Sequence, residues 1–199
     1  MAGALSGMET AIIDNVVSRA GEEDRHNSAE LVRRAALGDR RAFDSLVEPQ
    51  LAVALGAARL ITGGEADAAD AVQDALLNSW LSLGSLRDPQ LFAAWFRRIV
   101  IRSAARFVKR RGQVVELNLE FEAAGTGDSI EHELDRRLLA RAFARLDSKD
   151  RTLLTLHHYW QLPVSESAQL LGLPEGTVRS RVHHALRRLR ASYDAEVRR

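Results

Sequence analysis

Near the C-terminal end of the chain, arginine, histidine and hydroxyl side chains recur along one side of a predicted helix. Val178, Val182, Ala185 and Leu189 follow one another at steps of three or four residues, which is typical of a buried stripe. The polar side chains opposite this stripe can hydrogen-bond to base edges, and they can also bind the phosphates of DNA. The residues of this helix that we expect to contact DNA are Thr177, Arg179, Ser180, Arg181, His183, His184, Arg187 and Arg188.

The segment before this helix predicts a tight turn between two helices. Gly172 stands where a helix must stop and reverse, because glycine adopts the left-handed conformation without a steric penalty. Pro174 suits the first turn of the next helix, and Glu175 suits the positive end of the helix dipole. A short helix, a glycine turn and a helix with a basic side predict a helix-turn-helix, whose second helix enters a major groove.

A second basic stretch, Arg97–Arg111, contains no acidic residue, and Phe92, Trp95 and Phe96 stand at its beginning. A positive helix beside aromatic rings suits single-stranded DNA, because the backbone binds the cations while the bases stack. For Trp95 itself we favour packing in the core over contact with a base. The candidate residues for this second interaction with DNA are Arg97, Arg98, Arg102, Arg106 and Lys109.

An acidic helix is predicted between the two breaks at Gly63–Gly64 and Gly84. Asp67, Asp70 and Asp74 stand at spacings of three and four residues, so they share one face of this helix. Acid–base catalysis would need convergent partners, and metal binding would need an aspartate-rich loop. We therefore expect no catalytic residue, no metal site and no cofactor, and on these residues alone an ordinary solvated helix face is the preferred interpretation.

Composition limits the possible classes of protein. The chain has 199 residues, a net charge of +1 and no cysteine. The absence of cysteine excludes disulfides and thiol catalysis, and it fits a reducing compartment. Apolar runs stay short of membrane-spanning length, and the N-terminus lacks the basic-then-apolar order of a signal peptide. We therefore expect a cytoplasmic protein that does not insert into a membrane.

Helical periodicity recurs along the chain and predicts an all-α fold with two helical domains joined by a flexible acidic linker. Within the first domain we expect a break at Gly38–Asp39 and a longer helix from about Pro49 to Leu60. The predicted segments are an N-terminal arm at residues 1–27, a first helical domain at 28–111, an acidic linker at 112–129 and a second helical domain, with the helix-turn-helix, at 130–199.

In this arrangement the chain resembles a bacterial RNA polymerase sigma factor of the sigma-70 family, of the extracytoplasmic function (ECF) type. Motifs across both predicted domains carry the resemblance, and they occur in the family's order. They are Asp67–Asp74 followed by Trp80, Trp95–Val100 followed by Lys109–Arg111, Leu146–Arg151, and Gly176–Arg181.

The resemblance implies a role for each motif. Asp67, Asp70, Gln73 and Asp74 would form the polymerase-binding helix, with the last three facing the clamp helices of the β′ subunit of core RNA polymerase. The basic helix would face the −10 promoter element and promote its melting, and the helix-turn-helix would bind −35 duplex DNA. Arg179, Ser180, His183 and His184 would face base edges, whereas Thr177, Arg181, Arg187 and Arg188 suit phosphates.

The resemblance also implies partners beyond the promoter. The linker, with Glu116, Glu120 and Glu122, would thread the polymerase cleft and imitate nucleic acid, with a solvated, extended linker as the equal alternative. Contacts with the β subunit and restraint by an anti-sigma factor are expected as well. Arg102 and Arg106 stand where the family often has asparagine or aspartate, so no −10 sequence preference is carried over.

Two other interpretations remain open from the sequence. A helix-turn-helix regulator that binds operator DNA would explain the second domain, but it leaves the acidic and basic helices of the first domain without a role. An all-α enzyme would place its site on the acidic helix. The chain is expected not to be an enzyme, because sigma factors melt DNA through binding energy.

Overall fold

The computed structural model of the protein describes residues 28–111 and 130–198, and this part of the chain contains helices and no β-strand. The predicted all-α fold class is therefore confirmed. The predicted N-terminal arm and acidic linker, with Glu116, Glu120 and Glu122, lie outside the described residues.

The described residues before the linker form four α-helices and two short 3-10 turns. These are α1 (residues 28–36), α2 (Arg40–Thr62), α3 (Glu65–Ser82) and α4 (Phe92–Arg111), with the turns at Leu83–Ser85 and Pro89–Leu91. The predicted break at Gly38–Asp39 separates α1 from α2. Asp39 is the N-cap residue of α2, because its Oδ1 accepts a hydrogen bond from the backbone N–H of Ala42 at 3.2 Å.

Pro49 does not begin a helix, contrary to the expectation from the sequence. It lies inside α2, which continues without interruption from Arg40 to Thr62. Phe43 and Val47 are buried before the proline, and Ala54 and Ala57 are buried after it. The apolar side of the helix therefore continues across the missing N–H group, and its packing outweighs the local cost of the proline.

The residues after the linker form the remaining helices. These are α5 (Ile130–Ala144), α6 (Ser148–Leu154), α7 (Val164–Leu171) and α8 (Glu175–Val197). A single π-helical turn, Thr155–Tyr159, extends α6, and the backbone N–H of Trp160 donates to the carbonyl oxygen of Thr155 at 3.0 Å. This turn contains the histidine pair His157–His158.

The described chain forms two compact units. The first comprises the described residues up to Leu51 together with Asn78–Phe96. In it, Phe43 packs edge-on against Trp80 with ring centroids 5.2 Å apart, and Phe92 stacks on Phe96 at 6.0 Å. Phe92 and Phe96, two of the aromatic residues at the start of the basic helix, therefore pack against each other.

The second unit comprises Ala52–Leu77 together with the described residues from Arg97 onward. It contains two apolar clusters. The larger cluster is Leu60, Phe143, Leu146, Leu153, Leu154, Ala168, Val178, Val182 and Ala185, and the smaller is Ile101, Leu156 and Leu162. Since this unit draws residues from α2, α3 and α4 as well as from α5–α8, the two-domain boundaries expected from the sequence stay a prediction.

Candidate nucleic-acid interface

The turn between α7 and α8 has the geometry that the sequence predicts. Gly172 ends α7 with φ of 65° and ψ of 36°, the left-handed conformation that favours glycine. Pro174 precedes α8, and Glu175 begins it. The two helices therefore form the expected helix-turn-helix, with α7 as the first helix and α8 as the second.

The buried stripe of α8 is confirmed for Val178, Val182 and Ala185, whereas Leu189 is half-buried against the same cluster. Val178, Val182 and Ala185 are all at most 7% exposed, and they pack in the larger apolar cluster with α5, α6 and α7. Thr177 is half-buried at the start of the helix. The other candidates of this helix are exposed together: Arg179, Ser180, Arg181, His183, His184, Arg187 and Arg188.

Arg188 differs from its exposed neighbours because it is engaged by an acidic side chain. Asp150 of α6 is 4% exposed, and it accepts a hydrogen bond from Arg188 Nη2 on Oδ1 at 2.7 Å and another from Nε on Oδ2. The hydrogen bonds that Arg188 donates to the Asp150 carboxylate raise the pKa of Arg188. The phosphate contact expected for Arg188 stays a prediction, and the structure adds that its guanidinium holds a carboxylate.

Two residues of the Leu146–Arg151 motif, Asp147 and Arg151, hold α6 in place. Asp147 caps the helix, since its Oδ1 accepts the backbone N–H of Asp150 at 2.7 Å. Arg151 is 4% exposed, and its Nη1 donates to the carbonyl oxygen of Leu146 at 2.8 Å. Burial lowers the pKa of Arg151. Its Nη2 also donates to the carbonyl oxygen of Ile61, near the end of α2, at 3.3 Å.

The basic side chains of α4 have different environments. Arg102 and Lys109 are exposed, and the exposed Arg106 lies with its Nη2 at 3.6 Å from Asp74 Oδ2. Arg97 and Arg98 instead lie beside Glu166 of α7, at 3.7 Å and 3.3 Å from its Oε1. The sequence could not indicate this contact, because the partners stand far apart along the chain.

The acidic helix α3 does not present all of its carboxylates on one exposed face. Asp70 and Gln73 are exposed, and Asp74 is half-buried with its Oδ2 accepting the Ser103 hydroxyl at 2.9 Å. Asp67 is 6% exposed, which corrects the expectation of a shared exposed face. The helical spacing places Asp67 beside the buried Ala68 and Ala71, on the border of the apolar side.

Within residues 28–111 and 130–198, no group of acidic, histidine or cysteine side chains has the arrangement of a metal site. No helix in the described part of the chain is long and apolar enough to cross a membrane. The arrangement at α8 and α4 is instead one of exposed cations and hydrogen-bond donors on rigid helices, which is suited to nucleic acid.

Two family models match the chain in order. Residues 46–114 match Sigma-70 region 2, and residues 136–189 match Sigma-70, region 4. The first match contains α3 and α4, and the second contains the helix-turn-helix. Together they cover the charged helices and the buried stripe that the sequence singled out.

Similar proteins of known family cover most of the chain. The chain is 30% identical over 160 residues to the RNA polymerase sigma-E factor of Streptomyces avermitilis. This match covers 80% of the chain and 89% of that protein. The chain is 32% identical over 166 residues to the ECF RNA polymerase sigma factor SigL of Mycobacterium tuberculosis, with coverage of 80% and 93%.

Solved structures share the fold. The structure of CnrH in complex with the cytosolic domain of CnrY matches with a TM-score of 0.60 and 27% identity, covering 85% of this chain and 98% of that chain. The sigma factor RpoE in complex with the anti-sigma factor NepR from Bartonella quintana matches with a TM-score of 0.61, covering 76% and 98%. At 21% identity, this second likeness shows the fold alone.

The helix-turn-helix and the basic helix define a DNA-binding protein of the transcription machinery. The chain belongs to the sigma-70 family of RNA polymerase sigma factors, in its ECF group. Its function is accordingly that of a sigma factor, and a helix-turn-helix regulator without this role is not favoured because region 2 is also matched.

Proposed function

We propose that this sigma factor uses α8 to bind the −35 element, α4 to capture the −10 element and α3 to dock on core RNA polymerase. The observation that carries the proposal is the exposed polar face of α8, which stands opposite a buried stripe within the segment matched by Sigma-70, region 4. A helix that is fixed on its apolar side and free on its polar side can enter a major groove.

On α8, base readout and phosphate binding fall to different residues. We assign Arg179, Ser180, His183 and His184 to base edges. Thr177, Arg181 and Arg187 are assigned to phosphates, which set the register of the helix without specifying sequence. Arg188 is assigned to a phosphate as well, and it also has a positioning role because its guanidinium joins α8 to Asp150 of α6.

On α4, the proposed contacts with −10 DNA come from Arg97, Arg98, Arg102, Arg106 and Lys109. The half-buried ring of Trp95 lies 5.9 Å from Phe92, which supports a role in packing. Melting of the promoter would use the binding energy for the open strand, without catalysis by the chain itself. On this proposal the chain is not an enzyme.

On α3, Asp70 and Gln73 are exposed and are the proposed contacts with the β′ clamp. Asp74 would contribute from its half-buried position beside Ser103. The buried Asp67 is assigned to the helix core and not to the polymerase interface. The β subunit is the further partner that the family resemblance implies for the helices after the linker.

The proposed setting is the cytoplasm, where core RNA polymerase and promoter DNA are found. An anti-sigma factor is the proposed regulatory partner, as the family resemblance implies. Such a partner would cover the polymerase-binding and DNA-binding faces of α3, α4 and α8.

The test is reconstitution of the purified chain with core RNA polymerase, followed by runoff transcription on genomic fragments and mapping of start sites. Promoter-specific initiation by a stoichiometric complex is the expected result. A chain that binds operator DNA but leaves core polymerase unable to initiate there would contradict the proposal.

Variants separate the assigned roles. Arg179→Ala should weaken −35 binding by about 1–3 kcal/mol and relax the sequence preference at one base pair.

Replacing both His183 and His184 with alanine should alter the −35 sequence preference while the affinity for core polymerase stays unchanged. Replacing Asp70 and Gln73 with alanine should weaken core binding, with the exposed Glu48→Ala of α2 as the matched surface control. Loss of core binding in the histidine variant would contradict this division.

A further inference from the structure

Glu166 of α7 lies against two of the arginines that we assign to −10 DNA. Its Oε1 is 3.3 Å from Arg98 Nε and 3.7 Å from Arg97 Nη2. The carboxylate side chain is 20% exposed, whereas the Arg98 side chain is 45% exposed. A carboxylate beside two guanidinium groups competes with a DNA phosphate for them, because both anions accept hydrogen bonds from the same donors.

Apolar packing supports this contact. Ile101, one turn after Arg97 and Arg98 on α4, forms a buried cluster with Leu156 and Leu162, which flank the turn before α7. Leu60 of α2 is part of the larger cluster that includes Phe143 and Leu153. The helices before the linker and those after it therefore share buried surface, and the ion pairs lie at the edge of that surface.

Polar and steric contacts fix the same arrangement. Arg151 of α6 donates from Nη2 to the carbonyl oxygen of Ile61 at 3.3 Å, close to the negative end of α2. The Tyr159 hydroxyl lies against Gly56 of α2, at a position where a Cβ would clash with it. A small side chain at position 56 would displace the Tyr159 hydroxyl, and a large one would push the whole ring away from α2.

We propose that the chain has a closed state in which its own C-terminal helices block the −10 contacts, with Glu166 occupying Arg97 and Arg98 in place of DNA. This inference rests on the function proposed above, because it assumes that these arginines bind DNA. Partly exposed ion pairs are weak, so the block is reversible and yields when the C-terminal helices are drawn away.

Two charge variants test the block. We expect Glu166→Gln to tighten binding of a fluorescein-labelled, single-stranded 20-mer of random sequence by about two- to fivefold, because the competing anion is removed. Glu48→Gln is the matched control, since it changes the net charge equally on an exposed part of α2. Equal affinities of the two variants would overturn the proposal, even if no other variant folds.

A steric variant tests the closed packing itself. The chain lacks cysteine, so Ala52→Cys and Gln169→Cys supply two exposed labelling sites for energy transfer between α2 and α7. Gly56→Leu should lower the transfer efficiency and tighten DNA binding, and adding Tyr159→Ala should restore the efficiency. Unchanged transfer in folded Gly56→Leu overturns the closed state, and reduced transfer without tighter DNA binding overturns the block.

The same chains separate this inference from the proposed function. Arg97→Ala with Arg98→Ala is introduced into the Glu166→Gln chain, and DNA affinity should fall. If affinity is unchanged while energy transfer still responds to Gly56→Leu, the −10 role of the arginines fails and the closed packing stands. If DNA affinity falls but the efficiency of energy transfer does not change in Gly56→Leu, the −10 role of the arginines stands and the closed state is excluded.

Discussion

Arg188 of α8 and Asp150 of α6 form a two-point ion pair, with Nη2 donating to Oδ1 at 2.7 Å and Nε donating to Oδ2. The carboxylate is buried, and the arginine lies at the edge of the helix face assigned to DNA. This pair joins α8 to α6 beside the buried stripe of Val178, Val182 and Ala185, which sets the side chains of α8 that face outward.

The neighbouring arginines Arg187 and Arg188 should respond differently to substitution. Arg188→Ala should lower Tm as well as DNA affinity, because the buried Asp150 carboxylate loses its partner. Arg187→Ala should leave stability within about 0.5 kcal/mol and lower DNA affinity, reducing the salt-dependence slope by about 1. Thermal melts and DNA titrations at several salt concentrations measure both. An unchanged Tm in Arg188→Ala would contradict the positioning role.

Ser167→Ala should stabilise the protein. Ser167 is 2% exposed, and its hydroxyl finds no hydrogen-bond partner among the described residues. Removing a buried, unpaired hydroxyl should raise the free energy of unfolding by about 1 kcal/mol. Chemical denaturation measures the change, and Ser165→Ala, at an exposed position of α7, is the control with no expected gain. A loss of stability in Ser167→Ala would show that the hydroxyl is satisfied.

Gly172→Ala should destabilise the helix-turn-helix by about 1–2 kcal/mol, because an L-residue with φ of 65° is strained. Space is not the cause, since an added Cβ would meet no described atom within 4 Å. Gly172→Asn should cost less, because asparagine tolerates this conformation. Gly176→Ala is the matched control: its added Cβ also meets no described atom within 4 Å, and a stability gain of about 0.5–1 kcal/mol is expected within the helix. Equal effects at both positions would contradict this account.

His158 should make stability depend on pH. Partial desolvation, with a further contribution from His157 at a ring-centroid distance of 4.9 Å, lowers the pKa of the exposed His158 below its usual range. The unfolded chain then binds the proton more readily, so stability is full above about pH 6.5 and is lost as pH falls through the lower folded pKa. Thermal melts between neutral and mildly acidic pH should show this fall, and His158→Gln should reduce it. An identical pH profile in both proteins would exclude the histidine.

Local patterns predicted the elements whose causes are local. The spacing of Val178, Val182 and Ala185 located the buried stripe of α8, and Gly172 located the end of α7. Pro49 misled the prediction because the proline rule is local, whereas the packing that carries α2 through it comes from residues on both sides.

The partners and the burial of individual side chains could not be predicted from the sequence, because they depend on how the helices pack. Asp67 has the same spacing pattern as Asp70, and only the packing of α3 shows that it is buried. Arg188 looks like its neighbour Arg187 in the sequence, but Asp150 engages it from a helix 38 positions away. The pairing of Glu166 with Arg98 joins residues 68 positions apart, so no periodicity could indicate it.

The cluster of Ile101, Leu156 and Leu162 gives the proposed closed state a calorimetric signature. Separating these side chains would expose apolar surface to water and raise the heat capacity, whereas burying surface against polymerase or DNA lowers it. The two contributions oppose each other when binding requires opening. The binding enthalpy of the native chain should therefore vary less steeply with temperature than that of the Gly56→Leu chain, in which we expect the closed packing to be disrupted before binding.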